Sequence, residues 1–138
     1  MTKAIVYAST TGNTEAMAQA IEKGAQLSGA KVVMQTADSA SEADVLAADV
    51  IILGSPAMGD EVLEDSMEAF FGTIEGKLSG KKVALFGSYD WGDGKWLRDW
   101  AERVTKAGGT MVNGTGLMAQ LTPDDAALKA CEQLGATA

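Results

Sequence analysis

Four short apolar runs constrain the fold of this chain more than any other feature: Ala4-Ile5-Val6-Tyr7, Lys31-Val32-Val33-Met34, Val50-Ile51-Ile52-Leu53 and Val83-Ala84-Leu85-Phe86. A strand with one wet face alternates apolar and polar residues, whereas an unbroken apolar run of this length is what a strand buried on both faces requires. Strands of that kind are parallel, and parallel neighbours must be joined by helical crossovers. Helix patterns lie where the crossovers should be. From Thr14 to Ser28, Met17, Ile21 and Ala25 share one face, and Gly29 terminates the pattern. Further helices are predicted from Leu63 to Glu75, from Lys95 to Ala107 and from Pro123 to the end, the last opened by Thr122-Pro123-Asp124-Asp125 as cap, N1 proline and first-turn acids. A shorter one, Ser41 to Ala48, carries Ser39 and Ser41 three residues before Glu42 and Asp44. A weaker fifth strand spans Thr110 to Met118.

Five βα units without a linker, repeat or low-complexity break predict one domain over residues 1–138. Right-handed crossovers make it an α/β three-layer doubly wound sandwich, a five-stranded parallel sheet of order 2-1-3-4-5. In such sheets ligands sit beyond the carboxyl ends of the strands, where the strand order reverses. The loops to read are therefore residues 9–14, 55–61 and 88–93.

Composition removes several function classes. With 11 Lys and Arg against 19 acids, the net charge of -8 argues against a nucleic-acid surface. One cysteine, Cys131, and no histidine leave neither an internal disulfide nor a structural zinc site. The longest apolar stretch, Val45 to Leu53, is interrupted by Asp49 and falls far short of the roughly 18 residues of a membrane span. Met1-Thr2-Lys3 runs directly into the first strand without a signal-peptide core, so a cytoplasmic location is expected.

The first loop, Ser9-Thr10-Thr11-Gly12-Asn13-Thr14, is rich in hydroxyls, uncharged and followed at once by a helix. Backbone N–H groups, the helix dipole and hydroxyl donors hold a phosphate without any cation. The same residues also serve as ordinary helix caps. The second loop, Ser55-Pro56-Ala57-Met58-Gly59-Asp60-Glu61, and the third, Ser88-Tyr89-Asp90-Trp91-Gly92-Asp93-Gly94, contribute a Met and a Trp. A thioether and an indole can sandwich a flat ring, and both are equally ordinary core residues. Trp96 and Trp100, four apart on one helix, read as packing against the sheet, as do Tyr7 and Cys131.

On Ser9-Thr10-Thr11-Gly12-Asn13-Thr14, Ala57-Met58-Gly59-Asp60-Glu61 and Gly87-Ser88-Tyr89-Asp90-Trp91-Gly92-Asp93-Gly94-Lys95-Trp96, the chain resembles the flavodoxins over nearly its whole length, and within them the short-chain type. The resemblance implies non-covalent FMN and a low-potential one-electron carrier, not an enzyme, that shuttles between semiquinone and hydroquinone and takes the place of ferredoxin. It implies that Ser9, Thr10, Thr11, Gly12, Asn13 and Thr14 wrap the phosphate, with Ser55, Pro56 and Ser88 towards the ribityl end. Met58 would lie on one ring face and Trp91 on the other, with Ala57, Gly59 and Asp60 also among the cofactor-binding residues. Glu61 would accept the flavin N3–H, the backbone of Tyr89, Asp90 and Gly92 would meet the pyrimidine edge, and Gln120 would lie nearby. Related sequences carry Trp, Gly, Ser and Gly where Ala8, Thr10, Pro56 and Asp90 stand here. Implied partners are ferredoxin-type reductases and acceptors docking on an acidic rim, with the carrier a monomer.

Two physical consequences follow from that assignment. Gly59 allows either sign of φ, so the Gly59-Asp60 peptide can turn its carbonyl towards a protonated flavin N5. A net hydrogen bond of about 1 kcal/mol moves a one-electron potential by roughly 40 mV. Asp60, Glu61, Glu64, Asp65, Glu68, Asp90 and Asp93 crowd the ring end, with no Lys or Arg from Ala37 to Gly76. One charge about 8 Å away costs on the order of 2 kcal/mol at an effective dielectric near 20, before screening, which drives the second potential down.

Two other classes share this strand order. A flavin or quinone reductase needs longer loops and a dimer interface to build its second pocket. A phospho-receiver needs acids after strand 1, an Asp after strand 3 and a Lys after strand 5, where Ser9-Thr10, Gly54-Ser55 and Met118-Ala119 stand instead.

Overall fold

Along each central strand, successive side chains enter two separate cores. Ala4 and Val6 of the first strand and Ala8 just after it join one cluster with Ile51, Leu53, Val83 and Leu85, while Ile5 and Tyr7 join another with Val50, Ile52, Ala84 and Phe86. The period of two, buried on both sides, explains the unbroken apolar runs. The computed structural model describes all of residues 1–138. Its elements are β1 (Thr2–Tyr7), α1 (Asn13–Leu27), β2 (Lys31–Thr36), α2 (Glu42–Leu46), β3 (Val50–Gly54), α3 (Asp65–Ile74), β4 (Lys82–Tyr89), α4 (Lys95–Lys106), β5 (Thr110–Met111), β6 (Leu117–Gln120) and α5 (Asp125–Thr137).

All pairings are parallel, in the order β2-β1-β3-β4-β5. The α2, α3 and α4 side of the sheet holds the larger cluster, which includes Phe71, Trp96 and Trp100; α1 and α5 cover the other face. No helix is long and apolar enough to cross a membrane.

The predicted fifth strand is two strands in one position. β5 pairs with Lys82 and Val83, β6 pairs with Phe86 to Tyr89, and the backbone leaves the ladder between them. The Asn113 side chain repairs the gap: its Oδ1 accepts from Leu85 N–H at 3.2 Å and its Nδ2 donates to Leu85 C=O at 2.8 Å. A buried central strand cannot leave those groups unpaired.

The helix starts also differ in detail. Asp124, not Thr122, caps α5, its carboxylate accepting from Ala127 N–H at 2.8 Å, so Pro123 lies before the helix. A charged acceptor within reach of the third amide is favoured there by the helix dipole. Glu64 caps α3 by accepting from Ser66 N–H and Met67 N–H, which moves that start to Asp65. Ser41 caps α2 as expected.

Helices α1 and α5 pack backbone to backbone. A Cβ on Gly24 would lie 1.8 Å from Glu132 C=O, and one on Gly135 would lie 1.9 Å from Ile21 C=O. Lys3 is buried at the end of α5, donating from Nζ to Gly135 C=O at 2.7 Å, where a cation suits the helix C-terminus. Burial pushes its pKa down and pushes the Cys131 thiol up to about 12. Cys131 is therefore an inert apolar filler, as the sequence suggested.

Candidate functional site

The carboxyl ends of β1, β3 and β4 bring the three loops together around a cleft of about 190 Å³ lined by Thr10, Thr11, Asn13, Pro56, Ala57, Ser88, Tyr89, Asp90 and Leu121. Close packing beneath it fixes the floor. A Cβ on Gly87 would meet Ser55 C=O at 2.1 Å, and Trp96 donates from Nε1 to the same carbonyl at 3.0 Å.

The first loop is shaped from within. Gly12, at φ +90, turns the chain into α1, and Ser9 Oγ accepts from Gly12 N–H at 3.1 Å and Glu15 N–H at 3.3 Å. The N–H groups of Thr10, Thr11, Asn13 and Thr14 have no acceptor within the protein. A ring of unpaired amides at a helix N-terminus, without a cation, is a donor set for a phosphate dianion. Behind it, Thr14 Oγ1 and Ser88 Oγ share a buried hydrogen bond of 2.7 Å. The Ser55 hydroxyl accepts from Glu64 N–H and donates to Pro56 C=O. These three hydroxyls brace the loops.

A larger cleft, about 510 Å³, lies on the other side of the first loop against Tyr7, Thr36, Asp38, Glu64 and Ser66. Its carboxylates already have partners: Glu15 accepts from Tyr7, Asp38 from Thr36, and Glu64 from Ser66. Burial, reinforced by Glu15, pushes the Tyr7 phenol upward. Thr10, with its unpaired N–H, lines both clefts, but Thr11 and Asn13 line only the smaller one.

The second loop closes on itself through Met58 N–H to Val62 C=O at 2.8 Å and the reciprocal bond at 2.9 Å. Gly59 at φ +47 and Glu61 at φ +57 make the turn, and Asp60 is exposed at its tip. In the third loop, Trp91 is 60% exposed while Trp96 and Trp100 are 1% exposed. An indole left in solvent contrasts with the two that build the core.

Gln120 donates from Nε2 to Asp90 C=O at 3.1 Å, tying β6 to the third loop. Leu121, which the sequence reading passed over, also faces the cleft. It sits at φ +55, half-exposed, with its N–H on Tyr89 C=O at 2.7 Å. Only its position after Gln120 marks it in the sequence, because a left-handed leucine has no compositional signal.

The family model described as flavodoxin matches residues 5–135. The chain belongs to the flavodoxin family. It is 47% identical over 135 residues to the flavodoxin of Megasphaera elsdenii, covering 97% of this chain and 96% of that one. To the flavodoxin of Clostridium beijerinckii it is 52% identical over 123 residues, 88% of each. Among solved structures, a flavodoxin from the domain Archaea aligns with a TM-score of 0.90 at 30% identity, covering 99% of this chain and 94% of that one. Two-electron reduced M. elsdenii flavodoxin aligns at 0.84 and 46%, covering 99% and 96%.

As a flavodoxin this chain is an FMN-binding electron-transfer protein that exchanges electrons with redox partners and turns over no substrate of its own. The length of 138 residues is that of the short-chain type. The site fits the cofactor: unpaired amides for the phosphate, a narrow cleft across three loops, and an exposed indole next in the chain to the cleft-lining Asp90.

The charge around this flavodoxin site is smaller than the sequence count. Arg103 arrives from α4 and pairs with Glu68 at 2.8 Å and Glu75 at 3.0 Å while lying over Phe71. That hydrogen bond holds the Glu68 carboxyl below its ordinary range, and Arg98 does the same to Asp93. Glu64 and Glu61 are taken up by the helix starts of α3 and α4. Asp60, Asp65 and Asp90 remain exposed without a cationic partner.

Proposed function

We propose that this flavodoxin holds FMN without a covalent bond and carries one electron at a time at low potential, between the one-electron and two-electron reduced forms, in place of a ferredoxin. The unpaired N–H groups of Thr10, Thr11, Asn13 and Thr14 carry this reading, since they meet a phosphate in the absence of any cation. In it, Ser9, Gly12, Ser55, Pro56 and Ser88 shape the phosphate and ribityl end. Ala57, Met58, Gly59, Asp60 and Glu61 form one wall of the ring site, and Tyr89, Asp90, Trp91, Gly92 and Gln120 form the other. Ferredoxin-type reductases and acceptors would dock on the rim of Asp60, Asp65 and Asp90, and the carrier would work as a cytoplasmic monomer of one domain. The role of Gly59 is supported by its φ of +47 and by the open space at its Cβ position.

The test is a pair of titrations of the ligand-free protein followed by Trp91 fluorescence. FMN should quench strongly, and riboflavin, lacking the phosphate, should bind about a hundredfold or more weaker, as several charge-assisted hydrogen bonds are lost. Equal affinities would remove the first loop from the site.

A further inference from the structure

A recess of about 180 Å³ lies between the end of the second loop and helices α3 and α4, and it shares no lining residue with the cleft that holds the unpaired amides. Leu63, Trp96 and Trp100 are buried and give it an apolar floor, and half-exposed Val62 lines it from the surface. The two indoles differ in one respect. Trp96 donates from Nε1 to Ser55 C=O at 3.0 Å, whereas Nε1 of Trp100 is the only buried side-chain nitrogen or oxygen in the protein without a hydrogen-bond partner. An indole nitrogen can only donate, so what it lacks is an acceptor. The ring is held in place by the larger core cluster, where Phe71 meets it edge-on with centroids 5.8 Å apart and planes at 88°.

The charges around the recess define the acceptor that is missing. Glu61, Glu68 and Asp99 line it against one cation, Arg103, which is already paired with Glu68 and Glu75. An anion would meet three carboxylates, and a cation would leave the indole N–H unanswered. A neutral hydroxyl satisfies both, accepting from the N–H and donating to a carboxylate oxygen; Asp99 commits only Oδ2, to Lys95. The apolar floor calls for an apolar body. At about 30 Å³ for each water-sized unit, the recess holds about six of them, which is one six-membered ring and not a fused ring system. We propose that this recess is a binding site for a single aromatic ring bearing a hydroxyl, the phenol class, with the Trp100 N–H as the donor that recognises it. The same ring occurs as a free phenol and as a tyrosine side chain presented by a partner.

The test is a titration of the FMN-loaded protein with phenol, followed by the indole N–H resonances in a proton–nitrogen correlation spectrum, that of Trp100 assigned through its contact with Phe71. The Trp100 N–H should move downfield and saturate at about millimolar phenol, while the Trp96 N–H stays in place and the flavin absorbance is unchanged. Drift of all the indole resonances together without saturation would overturn the site. Benzene, which lacks the hydroxyl, should bind about fivefold more weakly, the factor that one net hydrogen bond supplies. Equal or tighter binding of benzene would overturn the role of the Trp100 N–H, because a buried hydroxyl without partners costs affinity. Trp100→Phe should abolish the preference for phenol, and a preference that persists in the folded variant would overturn the same role; where the variant does not fold, the wild-type ratio decides. N-acetyltyrosinamide presents the ring as a protein chain does: tighter binding than phenol assigns the site to a partner's tyrosine, weaker binding to a free phenol, and binding of neither overturns the proposal. The inference does not rest on the FMN reading, since a chain that failed to load FMN would be titrated ligand-free with the same outcomes.

Discussion

The α1–α5 face and the site turns at Gly12 and Gly59 use glycine for opposite purposes. At Gly24 and Gly135 the missing side chain lets two helix backbones touch, and any Cβ would meet a carbonyl at under 2 Å. At Gly12 and Gly59 nothing lies within 4 Å of a built Cβ, and what matters is a left-handed φ. One region gave up side chains so that the protein could pack against itself. The other gave them up so that the backbone could turn and present its amides outward. Substitution should therefore damage stability in the first region and ligand chemistry in the second.

The harshest way to break this comparison is Gly135→Val. It should cost about 3 kcal/mol or more through overpacking of two backbones, read as a lower urea midpoint, while FMN affinity of the folded fraction stays within about twofold. Loss of affinity without loss of stability would erase the distinction. Gly59→Thr is the reverse case. Its left-handed backbone should cost about 1 kcal/mol of stability, but the maximum fraction of one-electron-reduced protein in an anaerobic titration should fall, and an unchanged fraction would contradict the peptide-turn role. Smaller still is the effect of Asp60→Asn with Asp90→Asn. Removing two unpaired charges should make the second potential less negative by tens of millivolts after solvent screening, with little change in stability, and a shift the other way would refute the electrostatic account.

The smallest effect concerns Glu68 and Arg103, which pair across α3 and α4 on the opposite face of the sheet from α1 and α5. Because Arg103 lowers the folded-state pKa of Glu68 below its ordinary 4.5, the folded carboxyl takes up a proton less readily than the unfolded one. The contribution is present above about pH 4.5 and lost as the pH falls through the lowered value. For a half-exposed pair it is a fraction of a kcal/mol to about 1 kcal/mol. Glu68→Gln should flatten this part of the acid limb in a stability series from pH 6 to pH 3, and an unchanged slope would deny the pair any role.

Strand positions and the site loops were legible because burial on both faces leaves an unbroken apolar run, and because the switch point of such a sheet follows from strand order alone. The break between β5 and β6 was not. Asn113 replaces a stretch of ladder with its side chain, and nothing in a local window distinguishes that from a loop asparagine. The hydroxyl-rich first loop was readable as a pattern, yet the burial of Thr14, Ser55 and Ser88 behind it was not, since a hydroxyl reads the same whether it faces a ligand or another hydroxyl. The acidic rim was overestimated for a related reason. The groups that engage it, the Arg103 cation on Glu68 and the α4 amides on Glu61, lie 33 to 35 residues away in sequence and meet their partners only in the fold.

The central claim is that this chain carries electrons singly on a flavin whose reduction steps it separates. Anaerobic spectroelectrochemistry of the FMN-loaded protein tests it most directly. Two resolved one-electron steps are expected, the second well below that of free FMN. A single two-electron step at the potential of free FMN would contradict the claim.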